Sequence, residues 1–343
     1  VEGLNDWRNA AARISRERGL AYRPASVEGG VEDGWTLDPV PWVISRERWQ
    51  GYEQGIAQRI RLFSHLLKDI YGDQRIFSER IVPAEIVLGH KGFLRSLHDF
   101  PMEKGGGSLG LSAIDVARDS AGQAFVVNDR FDKPFGLGLA LENRTVINKV
   151  LPRLFRRCRV KKIGQFFTEW FDFLQRTSPT DSERPLIVIL DPSEQGDDSE
   201  ISFLANYCGI ARVHPSDLTV RDGRVWIKAL SGLVPVDVIW KTMPGSGEDL
   251  LLPPVATWWC GSPTAMSHVL SNLSSMVIKP VGSHHDLRTQ YGRLLTAEQQ
   301  DDLKARIKEN PGDFVGQEEL MISTIPVSRQ SGLVPRSAVL RGF

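Results

Sequence analysis

The chain has 343 residues, 41% hydrophobic and 24% charged. This ordinary globular composition excludes a fibrous or disordered protein, and at roughly 150 residues per domain the length suits about two domains or one large α/β enzyme. Lys+Arg and Asp+Glu both number 42, so no global field favours nucleic acid or an anionic membrane, and any anion site has to be local.

The opening residues, VEGLNDWRNAAARIS, lack a basic-then-apolar leader pattern, and no run approaches the ~20 apolar residues that cross a bilayer. Cys158, Cys208 and Cys260 form no CxxC pair, which argues against a zinc ribbon or disulfide framework. A soluble, cytoplasmic protein with neither nucleic-acid nor membrane partners is expected. From Glu47 to Ile70, the residues Trp49, Tyr52, Ile56, Ile60, Phe63, Leu66 and Ile70 recur at three- and four-residue steps. They predict an amphipathic helix that stops at Tyr71-Gly72. RIVPAEIVL reads as a short strand, and HKGFLRSLHDF as a turn followed by a helix or loop. LSAIDVARDSAGQAFVVNDR predicts an antiparallel hairpin with its turn at Asp119 to Gly122, setting Asp115 and Arg118 across from Asn128 to Arg130. From Asn143 to about Thr177 the pattern is helical, interrupted near Pro152 and Gly164.

PLIVIL predicts a buried strand leading into DPSEQGDDSE, a loop of the kind in which α/β proteins place ligands, and EISFLANYCGI follows as a helix. DLTVRDGRVWI predicts a hairpin with an Asp-Gly turn, VDVIW another buried strand, and KTMPGSGED a linker. A helix around Met266 to Leu273, the strand SMVIKP, a Gly/His loop, a helix from Thr296 to about Glu309 and the strand DFVGQEEL follow. Alternating helices and strands indicate an α/β fold, or α+β lobes, with at least one substantial sheet.

Several stretches carry candidate chemistry. VVNDRFDKPFG delivers Asn128, Asp129 and Arg130 to a strand end, as either a metal and phosphate site or a salt-bridged turn. MVIKPVGSHHD presents Lys279 beside a loop of backbone N–H groups, which suits the phosphates of a nucleotide; the alternative is an edge-strand lysine beside an ordinary turn. In DFVGQEEL, Gln317, Glu318 and Glu319 interrupt apolar residues on either an adenine-pairing strand or a half-exposed edge. VLRGF offers Arg341, as a phosphate ligand or a surface residue. His284 and His285 have no partner at metal-ligand spacing, and GxSxG, HExxH, GxGxxG and Walker A patterns are absent. Trp258 and Trp259 read as packing residues, with Cys260 a buried thiol beside them.

Taken together, LKDIYGDQRIFSERIVPAEIV, DVARDSAGQAFVVNDRFDKPFGLGLALENR, PVATWWCG, VIKP and FVGQEEL occur in an order that resembles the circularly permuted ATP-grasp proteins (type 2), distant relatives of glutathionylspermidine synthetase. The resemblance runs from about Trp35 to Arg341. It implies a circularly permuted ATP-grasp fold whose two α+β lobes clamp ATP, and ligation of a carboxylate to an amine through an acyl phosphate with ATP and magnesium. By the same resemblance Lys279 would hold phosphates, Gly282 would belong to the loop over them, and Gln317, Glu318 and Leu320 would line the adenine pocket, with Arg341 nearby. Residues 1–100 are expected to pack on the grasp, 101–245 to form the lobe with the metal and substrate site, and 246–343 to form the nucleotide-binding lobe.

In similar short members the 126–136 block reads like LEDNLRTPSG, whose Glu and following Asn bind magnesium with an upstream Asp. Aligned on Pro134 and Gly136, those positions are Asn128 and Arg130 here, and Phe135 replaces the Ser. A guanidinium has no lone pair for a cation. Asp115 and Asp129, with Asn128, would make a thinner magnesium site, while Arg118 or Arg130 would supply positive charge for catalysis. Gly136, Glu142, Asn143 and Arg144, at a helix start, and Glu200 are candidate contacts to a carboxylate, amine or peptide substrate. The alternative is a degenerate scaffold that binds nucleotide weakly or docks proteins. Relatives carry a longer segment between VDVIW and LLLPPVATWWCG and continue past VLRGF, so a gap near 245–249 and a shortened C-terminus are expected.

Overall fold

The computed structural model describes residues 3–18, 37–89, 93–98, 110–131, 136–180, 182–191, 199–240, 255–281, 289–329 and 331–343. Helix α1 (Leu4–Glu17) precedes the predicted long helix, α2 (Arg46–Tyr71). The Ser45 hydroxyl caps α2 by accepting from the Arg48 N–H at 3.3 Å, and Glu47 lies in its positive first turn. α3 (Arg75–Ser78) and α4 (Ala84–Leu88) follow. RIVPAEIVL is therefore not a strand: Pro83 is extended ahead of a helical turn that Ala84 and Glu85 favour, and so short an apolar run carries no usable period. In HKGFLRSLHDF, Arg95–Leu97 forms a 3-10 turn, and 90–92 and 99–100 lie outside the described residues.

β1 (Ala113–Arg118) and β2 (Ala124–Arg130) make the predicted hairpin. Its turn is closed by the Gly122 N–H donating to the Asp119 carbonyl and the Gln123 N–H donating to the Asp119 carboxylate. The register pairs Asp115 with Asn128 and Ala113 with Arg130, but Arg118 with Ala124. Arg118 thus sits at the turn end of the hairpin and not across from the polar cluster, because antiparallel pairing carries the two strands apart in sequence away from the turn. The helical stretch resolves into α5 (Leu137–Val150), α6 (Pro152–Arg157) and α7 (Gly164–Arg176), broken near the predicted Pro and Gly. α5 starts at Leu137, directly after Gly136 with φ +113°, so Glu142, Asn143 and Arg144 lie inside the helix, not at its start. The left-handed conformation at Gly136 turns the chain from the hairpin into the helix.

β3 (Ile187–Leu190), α8 (Ser199–Cys208), β4 (Ala211–Val213), β5 (Leu218–Arg221), β6 (Arg224–Ala229), β7 (Gly232–Pro235) and β8 (Val238–Trp240) come next. β4-β3-β8 is a parallel sheet, and Phe167, Trp170 and Leu174 of α7 and Leu204 of α8 bury its Ile187 and Ile189. β5-β6-β7 is an antiparallel meander. Asp222 and Gly223 both have positive φ, as a tight hairpin loop requires. KTMPGSGED lies outside the described residues.

β9 (Thr257–Trp259), α9 (Pro263–Ser271), β10 (Met276–Pro280), β11 (Gln290–Tyr291), α10 (Ala297–Glu309) and β12 (Phe314–Glu318) form the last α+β unit, with sheet order β11-β10-β12-β9. Alternation along β10 buries Met276 and Ile278 against Val269 of α9 and Leu303 and Ile307 of α10, and turns Val277 and Lys279 to the opposite face. Gly316 passes so close to α9 that a Cβ there would lie 2.6 Å from the Val269 Cγ2. β13 (Thr324–Arg329) and β14 (Gly332–Ser337) make a hairpin, and β15 (Val339–Gly342) returns to the first sheet, giving the order β15-β1-β2. Ile114, Val116 and Val126 of this sheet pack beneath Tyr52, Ile56 and Phe63 of α2.

Candidate functional site

A cleft of about 1240 Å³ opens between the face of β15-β1-β2 away from α2, the first turns of α5, and the Lys279 face of β10 and β12. Alternation on β1 sends Ile114 and Val116 under α2 and Asp115 into the cleft. On β2, strict alternation would put Val126 and Asn128 on the same face. The register slips between Asp115 and Val116, leaving Val127 as the extra residue of a bulge and inverting the parity beyond it. Val127, Asn128 and Arg130 consequently line the cleft, while Asp129 turns to α2.

Asp115 is only 5% exposed and is held by two arginines. Arg341 donates from Nε to Oδ1 at 2.6 Å and from Nη2 to Oδ2 at 2.9 Å, and Arg130 donates from Nε to Oδ2 at 2.9 Å. Burial pushes the Asp115 carboxyl up, but the hydrogen bonds from Arg341 and Arg130 outweigh it and hold the group below its usual range. Lys279 is not on an edge: β10 lies between β11 and β12, and its Nζ donates to the carbonyl of Val127, the bulge residue, at 3.1 Å. Burial and the neighbouring charge of Arg130 lower the Lys279 pKa, with Asp115 opposing.

Ten of the predicted residues line this one cleft. They are Asp115, Asn128 and Arg130 from the hairpin, Gly136 ahead of α5 and Asn143 within it, and Lys279, Gln317, Glu318, Leu320 and Arg341 from the last part of the chain. The Gln317 amide donates to the Thr257 hydroxyl at 3.1 Å; the Glu318 N–H donates to the Ala256 carbonyl and the Glu319 N–H to that of Ser275. Those two N–H groups hold strand and loop together. Asp129 lies beneath α2 and takes a two-pronged pair from Arg59, at 2.9 and 2.6 Å. The Arg118 guanidinium stacks over the Trp42 ring at 4.9 Å. Buried Glu142 is gripped by Arg18, and Arg144 donates to the Lys161 carbonyl at 2.6 Å. Gly282 lies outside the described residues, as do 132–135, and for Glu200 the backbone is helical but the side chain is outside them.

Magnesium favours hard oxygens in an octahedral shell. Both Asp115 oxygens are engaged by guanidinium groups, Asp129 faces the opposite side of the sheet, and Asn128 adds a single amide oxygen. Among the described residues no group of three or more His, Cys, Asp or Glu is placed to hold a metal ion. These residues do not fit a protein-ligated ion at this position.

Sequence reasoning missed Arg59, although its place among Tyr52, Ile56 and Phe63, on the buried stripe of α2, was a signal that it needed an internal acid. It also missed Arg293, which lines the cleft and pairs with Glu319 at 2.6 Å. Cys260 is buried as expected, and burial pushes its thiol up to about 11. Trp258, on β9 beside β12, is half-buried against the core of this unit, and Trp259 donates its indole N–H to the Gly312 carbonyl at 3.0 Å.

Comparison with known proteins places this geometry in context. Residues 41–246 and 245–343 match the family described as circularly permuted ATP-grasp type 2, the two matched segments meeting at the KTMPGSGED stretch. An uncharacterized protein of Synechocystis sp. is 26% identical over 364 residues, covering 90% of this chain and 76% of that protein. An uncharacterized protein of Mycobacterium tuberculosis is 27% identical over 405 residues, covering 99% of this chain; the chain spans 45% of that relative's length. Among solved structures, a glutathione synthetase like-effector from Globodera pallida, in its apo form, aligns with a TM-score of 0.56. It is 11% identical, with 94% of this chain and 83% of that one covered, a likeness of fold alone.

Proposed function

The chain belongs to the circularly permuted ATP-grasp type 2 family, and from that premise we propose that it is an ATP-dependent carboxylate–amine ligase-like protein forming an amide or peptide bond. The observation that carries this reading is the convergence in one cleft of Lys279, Gln317, Glu318 and Leu320, residues the resemblance assigns to phosphates and adenine, with Arg341, whose guanidinium suits a phosphate. In this reading a carboxylate oxygen attacks the γ-phosphorus and the bond to the ADP oxygen breaks. An amine then attacks the acyl carbon, phosphate leaves with the carbon–oxygen electron pair, and the amine nitrogen gives up a proton. Gly136 and Asn143, across the cleft, flank the acyl substrate, and an amino acid or peptide is the class of acceptor. Residues 246–343 act as the nucleotide lobe against 101–245, with 1–100 packed outside, and β15 returned to the first sheet.

Members of the family generally use magnesium with ATP, and the ion would neutralise phosphate charge. Both Asp115 oxygens are held by guanidinium groups, so the donor set around Asp115 does not fit such an ion. The same two-arginine grip on Asp115 favours a second reading, a scaffold that binds nucleotide without ligating anything.

A coupled assay for ADP separates the two readings, run with pooled amino acids and dipeptides as carboxylates and amines. Ligation predicts ADP formation that requires both substrate classes, with one phosphate released per amide formed. Nucleotide binding without substrate-dependent ADP would sink the ligase reading and leave the scaffold.

A further inference from the structure

The β-bulge at Val127 and the return of β15 put two arginines on one buried acid. The bulge brings Arg130 onto the Asp115 face, and the β1–β15 register sets Arg341 directly opposite Asp115. We propose that Arg130 and Arg341, braced by Asp115 and joined by Lys279, form a guanidinium cage that binds the terminal phosphates of a nucleoside triphosphate without a protein-ligated divalent ion. This rests on the nucleotide-binding reading above and goes beyond it by assigning the ion's task to the arginines.

The geometry supports a cage in three respects. The Asp115 side chain is 7% exposed, whereas those of Arg130 and Arg341 are 40% and 30% exposed, so the acid lies behind and the cations in front, towards the cleft. Arg341 is fixed by two prongs and Arg130 by its Nε, which pre-orients planar forks suited to phosphate oxygens. Among the described cleft residues, three cations around Asp115 leave a surplus of positive charge. Of the other cleft acids, Glu319 is paired with Arg293 and Glu318 is exposed at the end of β12. An ion seeking Asp115 would have to displace two charge-assisted hydrogen-bonded partners.

The test is calorimetric titration of ATP into the full chain, once with EDTA and once with magnesium. The cage predicts affinity in EDTA within about threefold of that in magnesium, and a loss of about tenfold in EDTA on Arg130→Gln, the worth of one charge-assisted hydrogen bond. The double variant Asn128→Glu with Arg130→Asn exchanges the guanidinium for oxygen donors beside Asp115 and is expected to make binding depend on magnesium. Binding by the unsubstituted chain only when magnesium is present overturns the cage and leaves the nucleotide reading standing. No binding in either condition removes the nucleotide reading and the cage with it. Because the first comparison uses the unsubstituted protein, the result does not hang on how well a variant folds.

Discussion

Asp129 is flanked in sequence by two cleft residues, Asn128 and Arg130, yet its carboxylate lies on the other side of the sheet against Arg59, which is 4% exposed. Replacing it breaks the two-pronged pair that a buried guanidinium makes, so Asp129→Asn is expected to cost about 3 kcal/mol in urea denaturation. ATP affinity should stay unchanged; a change would mean that Asp129 reaches the nucleotide. Asp115 faces the cleft, and its contribution depends on pH. Its folded pKa is depressed by Arg341 and Arg130 against the effect of burial, so its stabilising contribution is fully present above the unfolded value of about 3.9 and is lost as the pH falls through the lower folded value. Asp115→Asn should therefore be less stable than the parent at neutral pH, and the two should converge in acid below about pH 4. Parallel curves of urea midpoint against pH would contradict that assignment.

Among the elements, those that place the site follow ordinary rules with one interruption. α2 buries residues at three- and four-residue spacing, and β10 alternates its core and cleft faces, as their periods demand. β2 departs from its period at the Val127 bulge, and that departure sends Arg130 rather than Asp129 into the cleft. Elsewhere the nucleotide-lobe sheet depends on close approach. Gly316 meets Val269, which is fully buried, so Gly316→Ala is expected to destabilise by about 1–3 kcal/mol through overpacking. Adding Val269→Ala should recover part of that loss, because the clash and its relief share one contact. Additive losses measured by chemical denaturation would place the strain elsewhere.

At the scale of the molecule, the cleft is assembled from parts that are remote along the chain. Arg341 and Asp115 are 226 residues apart, and Lys279 reaches Val127 across 152. The Lys279–Val127 bond, with the Val255 N–H donating to the Val126 carbonyl at 3.1 Å, ties the hairpin sheet to the last α+β unit. A ligand that bridges these parts stabilises the folded chain by mass action, about 2.7 kcal/mol at a hundredfold excess over Kd. ATP at such an excess is expected to raise the melting temperature by a few degrees, and Lys279→Ala should remove most of the shift. A shift of the same size in that variant would take Lys279 out of the phosphate site.

Local signals carried much of this architecture. The long α2, the Asp119–Gly122 turn, the Asp-Gly hairpin, the breaks at Pro152 and Gly164 and the capped α10 were legible because caps, turns and periodicity act over a few residues. RIVPAEIVL misled for the same reason, since a short apolar run holds too little period to tell strand from helix. The block order from LKDIYGD to FVGQEEL was enough to indicate the family, and the matched segments cover residues 41–246 and 245–343. Tertiary structure decided which acids and bases meet. A bulge shifts side-chain parity by one, and the pairing of β15 with β1 sets Arg341 against Asp115. Neither is encoded in spacing, because which face a strand residue takes depends on the partner strand, and here that partner comes from the other end of the chain.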